Sequence, residues 1–250
     1  MLFKEFGNRK NPVIVFLHGG GLSWWSWQAQ IDALADRFYV VAPVIDGHGE
    51  DSKTVFVSIR DSAEKLINYI KITCDGKVYA LCGLSIGAQI AVEVLSRESD
   101  IAHFAVIESA LVYPMKTAVR LTVPMYNLCF GLVGKRWFSK LQAKSLMVPD
   151  NFFENYYKDT SGMMKESLIN IIISNGNYSV PAALNQTSAK VLIIAGEKEL
   201  AIMKRSAVLL NDTIPGSELK IIKKYGHGEI SLKHPDKYFE VLHDFFPALV

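Results

Sequence analysis

One stretch decides the fold of this chain: residues 78–95, which read VYALCGLSIGAQIAVEVL. Its first five residues are an apolar run that predicts a buried strand, and the residues from Ala88 onward are typical of a helix. Between them lies Gly83-Leu84-Ser85-Ile86-Gly87, a Gly-x-Ser-x-Gly pattern in the strand-turn-helix context of a nucleophile elbow. So tight a turn leaves no room for Cβ atoms two residues to either side of the serine. The stretch therefore predicts Ser85 as an exposed nucleophile at a helix N-terminus.

Strands and helices alternate along the rest of the chain, which matters because the Gly-x-Ser-x-Gly pattern alone arises by chance in roughly one in ten chains of this length. Apolar runs predict strands at 12–17, 38–42, 77–82, 103–108, 190–195 and 218–223, and helices at 25–36, 57–72, 85–98, 200–211 and 233–246. Such alternation favours an α/β fold, a mainly parallel sheet flanked by helices on both faces. Catalytic residues are then expected at the carboxyl ends of the strands.

A glycine-rich loop, His18-Gly19-Gly20-Gly21, follows directly on the first of these apolar strands. An acyl-transfer enzyme needs two backbone N–H groups aimed at a developing oxyanion, and a loop without side chains lets its amides come close. We expect one amide from Ile86, the residue after the nucleophile, and the other from Gly20. Gly19, Gly21 and Leu22 remain alternatives at this stage, as does an ordinary glycine-rich turn.

A histidine must act as base, and His227 has the best context of the six in the chain. It follows a predicted strand and sits in Tyr225-Gly226-His227-Gly228, where small neighbours let the imidazole turn toward Ser85. We expect structural places for the other five: His18 bracing its loop, His48 in a turn, His103 in a strand, and His234 and His243 on the surface of the last helix.

Together these motifs resemble the α/β-hydrolase family, in its branch of cap-bearing, esterase-like members. The family pattern has strand-His-Gly, the elbow, Gly-x-x-Asp after a late strand, and Gly-His with a proline downstream, which here is Gly226-His227 with Pro235. The resemblance covers almost the whole chain except residues from about 110 to 185. It implies the α/β-hydrolase fold and the chain order serine, acid, histidine.

The family's aspartate falls on Glu199, in Gly196-Glu197-Lys198-Glu199 after the strand at 190–195. A glutamate is one methylene longer, but orienting an imidazole needs only a carboxylate. Glu199 is therefore the predicted acid of a Ser85, His227, Glu199 triad. Glu197 on the same loop and Glu108 at the end of an earlier strand are rivals, and a degraded triad with three ordinary loop carboxylates is the alternative.

The middle of the chain predicts a helical cap, inserted at 111–185 into a core domain formed by 1–110 and 186–250. This segment is rich in Met, Phe, Tyr and Trp and is interrupted by Pro114, Pro124 and Pro149. Its aromatic residues predict an apolar pocket for an acyl or alcohol group. For any single aromatic, ordinary packing between cap and core is the stronger expectation.

Composition limits the partners and the compartment. The 250 residues are half hydrophobic, carry a net charge of +2 and show no concentrated Lys/Arg run, so neither nucleic acid nor an anionic membrane is expected as the main partner. Three cysteines make no disulfide framework, and no leader sequence opens the chain, so a cytoplasmic location is expected. The apolar stretch 121–134 is too short to span a bilayer. No metal or cofactor is expected, and the oligomeric state stays open.

These expectations converge on a serine hydrolase that cleaves a small or medium, largely apolar carboxylic ester or thioester through an acyl-enzyme. A serine at the elbow argues against dehalogenase or epoxide hydrolase chemistry, which in the family it resembles uses a carboxylate. The alternative is a small-molecule receptor with little or no turnover on the same fold. A scaffold without activity is a third reading, favoured if Glu199 cannot reach His227.

Overall fold

Seven strands form one sheet within residues 1–247, the part of the chain that the computed structural model describes. The strands are β1 Leu2–Phe6, β2 Val13–Leu17, β3 Tyr39–Val44, β4 Val78–Leu84, β5 Ala102–Glu108, β6 Lys190–Gly196 and β7 Glu218–Ile222. Their order in the sheet is β1-β3-β2-β4-β5-β6-β7. Only the edge pair β1 and β3 is antiparallel among these strands. The prediction of a mainly parallel sheet is confirmed.

Ten α-helices accompany the sheet in the same residues: α1 Gln28–Leu34, α2 Ile59–Thr73, α3 Ile86–Arg97, α4 Lys116–Cys129, α5 Arg136–Ser145, α6 Phe153–Ser161, α7 Lys165–Asn177, α8 Ala201–Thr213, α9 Glu229–Lys233 and α10 Pro235–Phe245. Two predicted helices differ. The helix expected at 25–36 starts as a 3-10 turn over Trp24–Trp27 before α1. The helix expected at 233–246 begins two residues later as α10, with Pro235 in its first turn, and the short helix α9 before it was not predicted.

The sheet is buried on both faces, which is what places the ends of its central strands in the interior. Neighbouring residues of one strand belong to different clusters: Val15 and Leu81 pack with α2 and α3, whereas Phe16 and Cys82 pack with α1 and α10. All four side chains are fully shielded from solvent. Parallel strands covered on both faces are continuous apolar runs, which explains why β4 was legible in the sequence.

Four helices, α4 to α7, occupy the chain between β5 and β6. A polar stripe on α7 ties them to the core, since the hydroxyl of Ser167 accepts from Phe56 N–H at 3.1 Å, that of Ser174 accepts from Ile59 N–H at 3.0 Å, and Asn170 donates to Phe56 O at 2.9 Å. The division into a core and a cap at 111–185 stays a prediction. The core range 186–250 also extends beyond the described residues, at 248–250.

Candidate active site

The turn after β4 has the strained geometry of a nucleophile elbow. Ser85 adopts φ 56° and ψ −115°, a region that side-chain-bearing residues rarely occupy. A Cβ placed on Gly83 would lie 2.5 Å from Gly87 O, and one on Gly87 would lie 2.4 Å from Leu17 O. Both positions therefore require glycine, and the close approach of α3 to β2 depends on them.

Ser85, His227 and Glu199 are brought together from three separate parts of the chain. Ser85 Oγ lies 3.1 Å from His227 Nε2, and His227 Nδ1 lies 3.1 Å from Glu199 Oε2. The histidine comes from the loop between β7 and α9, and the glutamate from the loop after β6. The imidazole is 36% exposed, whereas the Glu199 side chain is fully buried beneath it. The arrangement is a continuous hydrogen-bonded line from a hydroxyl to a carboxylate.

Glu199 is held as a carboxylate by its hydrogen bonds. Burial on its own would raise the pKa of Glu199. The pKa is nevertheless held below its usual value, because three hydrogen-bond partners outweigh burial: His227, which also contributes charge, the Gly196 N–H and the Ser109 hydroxyl. Glu199 Oε1 accepts from Gly196 N–H at 2.7 Å and from Ser109 Oγ at 2.8 Å. A carboxylate beside Nδ1 of a histidine whose Nε2 faces a serine is the arrangement that orients the imidazole in serine–histidine–acid triads.

Ser109 is a site residue that the sequence reasoning missed. It follows β5, is buried, and adopts φ 56°, which is unusual for a residue other than glycine. Its hydroxyl donates to Glu199 and accepts from Gly228 N–H at 3.4 Å, so it links the acid to the loop that carries His227. Its position directly after a strand that neighbours β4 was the one available signal.

The two rival acids have other surroundings. Glu197 is exposed and accepts from Lys224 N–H at 2.9 Å, whereas the carboxylate at His227 Nδ1 is that of Glu199. Glu108 is 1% exposed, and neither of its oxygens makes a hydrogen bond of good geometry. Ser231 lies close enough to offset part of the rise in the pKa of Glu108 that burial causes. Burial and the nearby charge of Glu199 raise the pKa of Glu108 to about 8. Glu108 is therefore mainly protonated at neutral pH, whereas an exposed glutamate is ionised there.

The loop after β2 narrows the choice of a second oxyanion amide. Leu22 N–H donates to Gly19 O at 3.1 Å, so that amide is used within the turn. Gly20 faces the elbow, because a Cβ on Gly20 would lie 3.8 Å from Ile86 Cγ2. Ile86 is the first residue of α3, where the N–H groups have no partner within the helix.

His18 braces this loop and has no free nitrogen for chemistry. Its Nδ1 lies 2.9 Å from Gly19 O, and its Nε2 accepts from Ile45 N–H at 3.0 Å. Complete burial, together with the neighbouring His48, lowers the pKa of His18 to about 3. A neutral imidazole with both nitrogens occupied is a structural element, as the sequence suggested.

Comparison with known proteins agrees with this architecture. Residues 14–241 match the model of the alpha/beta hydrolase family. The chain belongs to this family. The resemblance noted in the sequence is thereby confirmed, and the sheet, the flanking helices and their order are those of an alpha/beta hydrolase. Membership supports a hydrolase that acts on a small molecule.

Individual relatives are distant but span almost the whole chain. Pimeloyl-acyl-carrier protein methyl ester esterase of Nitrosomonas europaea is 22% identical, over 91% of this chain and 92% of its own. A structure from work on carboxylesterases of Nitrososphaera gargenis superposes with a TM-score of 0.80 at 15% identity, covering 99% and 94% of the two chains. Bromoperoxidase of Bacillus anthracis superposes with a TM-score of 0.81 at 19% identity, covering 97% and 94%. Structural likeness at these identities shows the fold alone.

No helix within residues 1–247 combines the length and apolarity needed to cross a bilayer.

Proposed function

We propose that the chain is a serine hydrolase that cleaves a small or medium, largely apolar carboxylic ester or thioester through an acyl-enzyme. The observation that carries this proposal is the unbroken line of contacts from Ser85 Oγ through His227 to Glu199, with 3.1 Å at each of its two steps. A nucleophile, a base within hydrogen-bond reach and a third group that orients the base are the parts this chemistry needs.

The reaction then follows from the placement of protons. Ser85 Oγ attacks the acyl carbon while its proton passes to His227 Nε2, and Glu199 stabilises the imidazolium that results. The N–H groups of Ile86 and Gly20 donate to the oxyanion of the tetrahedral intermediate. His227 returns its proton to the leaving oxygen or sulfur, and an acyl-Ser85 ester remains. Water, deprotonated by His227, hydrolyses that ester and regenerates the hydroxyl.

The helices α4 to α7 are proposed to be the cap that binds the apolar part of the substrate. They border the candidate site, since a Cβ on Gly20 would meet Ile171 at 3.8 Å and one on Gly21 would meet Leu146 and Tyr156 at 3.7 Å each. Apolar walls with a few polar groups are typical of small-molecule sites. The esterase name of the Nitrosomonas relative favours an ester as the substrate class.

A cytoplasmic location is also proposed, because all three cysteines are unpaired.

The test is the intact mass and rate of labelling with a fluorophosphonate, measured on the wild type and on Ser85→Ala. One adduct on the wild type and none on the variant is the expected result. Glu199→Gln should slow labelling by on the order of 1,000-fold or more, because the imidazole loses its orienting charge. Glu197→Gln is the matched control, expected to label at the wild-type rate.

Each other outcome has a defined meaning. A wild type that stays unlabelled while its circular dichroism and melting are normal would reject the hydrolase, and ligand-dependent stabilisation without product would then identify a receptor. If Glu108→Gln slowed labelling and Glu199→Gln did not, the acid would be assigned wrongly while the serine chemistry stood.

A further inference from the structure

The charge of this chain is unevenly distributed. Residues 109–149 contain six basic side chains and no acidic one; the six are Lys116, Arg120, Lys135, Arg136, Lys140 and Lys144. Of the 27 basic and 25 acidic residues in the chain, the remainder therefore holds 21 basic and 25 acidic. The overall charge of +2 is the result of a segment at +6 and a body at −4. Because the six are spread over 29 positions, from Lys116 to Lys144, no short run reveals them.

All six cations lie on the surface of α4, α5 and the turn between them. Arg136, Lys140 and Lys144 recur at every fourth position and so form one stripe along α5. Arg136 forms an ion pair with Glu154. Among the described residues, no ion pair involves Lys140 or Lys144. Lys140 and Lys144 therefore present positive charge to the solvent that no ion pair among the described residues compensates.

The same helices also expose large apolar side chains. Leu121, Met125 and Leu128 recur on one face of α4 and are 72%, 57% and 88% exposed. Trp137 and Leu141 on α5 are 59% and 61% exposed. The other face of α4 packs inward, where Val119 would collide with any Cβ on Gly176 of α7. Packing on α7 thus accounts for the inner face of α4, and among the described residues the outer apolar face of α4 has no partner.

We propose that the segment 116–145 binds the surface of an anionic lipid bilayer, with the exposed apolar side chains of α4 and α5 in the interfacial region and the six cations among the headgroups. Helices that lie on membranes have this composition, with Lys and Arg beside Trp and Leu. A second copy of the chain is disfavoured as the occupant, because two faces that both carry an excess of cations repel each other. A strongly acidic protein would match the charge but would set carboxylates against the leucines, whereas a bilayer matches both features.

Binding at this surface would bring the candidate site close to the lipid. Helix α4 packs on α7, and Ile171 of α7 lies against the glycine loop at Gly20. An apolar substrate dissolved in the bilayer would then have a short path to Ser85. The binding itself does not depend on the proposed chemistry, because it is measured without turnover.

The test is co-sedimentation of the whole protein with vesicles of ether-linked lipids, which carry no ester to cleave. Vesicles of equal parts phosphatidylglycerol and phosphatidylcholine should bind the protein, and pure phosphatidylcholine should bind it at least tenfold more weakly. Lys140→Gln with Lys144→Gln should lower the partition coefficient by roughly 25-fold, because each cation near an anionic surface contributes about fivefold. Raising the salt concentration should weaken binding of the wild type more than that of this variant.

Two further variants separate insertion from simple charge attraction. Leu121→Ser with Leu128→Ser should weaken binding by about tenfold for each leucine, since each loses its burial in the interface. Ile72→Ser is the matched control, because Ile72 on α2 is 85% exposed outside the cationic segment. Lys53→Gln with Lys223→Gln is the matched control for the double lysine variant, because it removes two exposed positive charges outside the cationic segment. Both controls should bind as the wild type does.

The proposal is overturned if the wild type does not sediment with anionic vesicles, or if the paired variants bind no more weakly than their controls while melting normally. A chain that ignores vesicles but binds soluble polyglutamate would have an acidic protein as its partner. Fluorophosphonate labelling of the same samples reports on Ser85 alone, so failure of the membrane proposal is distinguishable from failure of the hydrolase.

Discussion

Replacing Glu108 by glutamine should make the protein less sensitive to alkaline pH. Glu108 ends β5 in the interior, 1% exposed, with no hydrogen bond of good geometry to either oxygen. Burial and the charge of Glu199 raise its pKa from 4.5 to about 8. The neutral amide that Glu108→Gln introduces has nearly the same shape as the protonated acid, so the substitution removes the titration and little else.

The sign and size follow from proton linkage. Since the folded state holds its proton to about pH 8 and the unfolded chain releases it near pH 4.5, the folded state binds more protons between these values. Stability is therefore fully present below pH 4.5 and is lost as the pH rises through 8. One pKa unit corresponds to about 1.4 kcal/mol, so ionising Glu108 costs on the order of 5 kcal/mol at most above both values.

Urea unfolding at about pH 5 and about pH 9 measures this difference. The wild type and Glu108→Gln should agree within roughly 1 kcal/mol at the acidic pH, and the variant should be several kcal/mol more stable at the alkaline one. Glu197→Gln, an exposed glutamate on a neighbouring loop, should show no such divergence. A difference between Glu108→Gln and the wild type that stays constant across this range would refute the reasoning.

Three further outcomes follow from the site geometry. Ser109→Ala should lower kcat/KM by about 10- to 100-fold, because Glu199 loses a hydrogen bond to its charged carboxylate. Ser109→Gly should lower kcat/KM equally but unfold at a higher temperature than Ser109→Ala, since the backbone at position 109 has φ 56°, which glycine adopts without strain. Gly87→Ala should give little folded protein in a solubility and melting assay, because its Cβ meets Leu17 O at 2.4 Å. Ser85→Gly should be about 1 kcal/mol more stable to urea than Ser85→Ala, and equal stabilities would show an unstrained elbow.

Much of the fold was legible because its strands are buried on both faces. The predicted strand at 77–82 is observed as β4 Val78–Leu84, and the one at 190–195 as β6 Lys190–Gly196. Buried parallel strands are continuous apolar runs, so periodicity is not needed to find them. The meeting of Ser85, Glu199 and His227 was predictable from chain order together with the rule that functional residues lie at the carboxyl ends of strands.

Other features depend on contacts that are distant in sequence. Ser109 was missed because a left-handed residue other than glycine has no signature, and its two partners lie 90 and 119 residues away. The cationic surface of 116–145 was missed because the net charge of the whole chain conceals it. Helix α9 was missed because its five residues, Glu229–Lys233, are too few to show a helical apolar period.

The side chains of the candidate triad follow strands that differ in how well the sheet protects them from opening to solvent. The nucleophile follows β4 in the middle of the sheet, whereas His227 follows β7, which has a neighbour on one side only and leaves Ile221 40% exposed. Edge strands open at a lower free energy than central ones, and amide exchange records this as earlier deuterium uptake. When β7 loosens, His227 moves away from Ser85 while the central strands stay packed. The proposed hydrolase activity should therefore be lost some degrees below the melting temperature of the protein, and this loss should reverse on cooling.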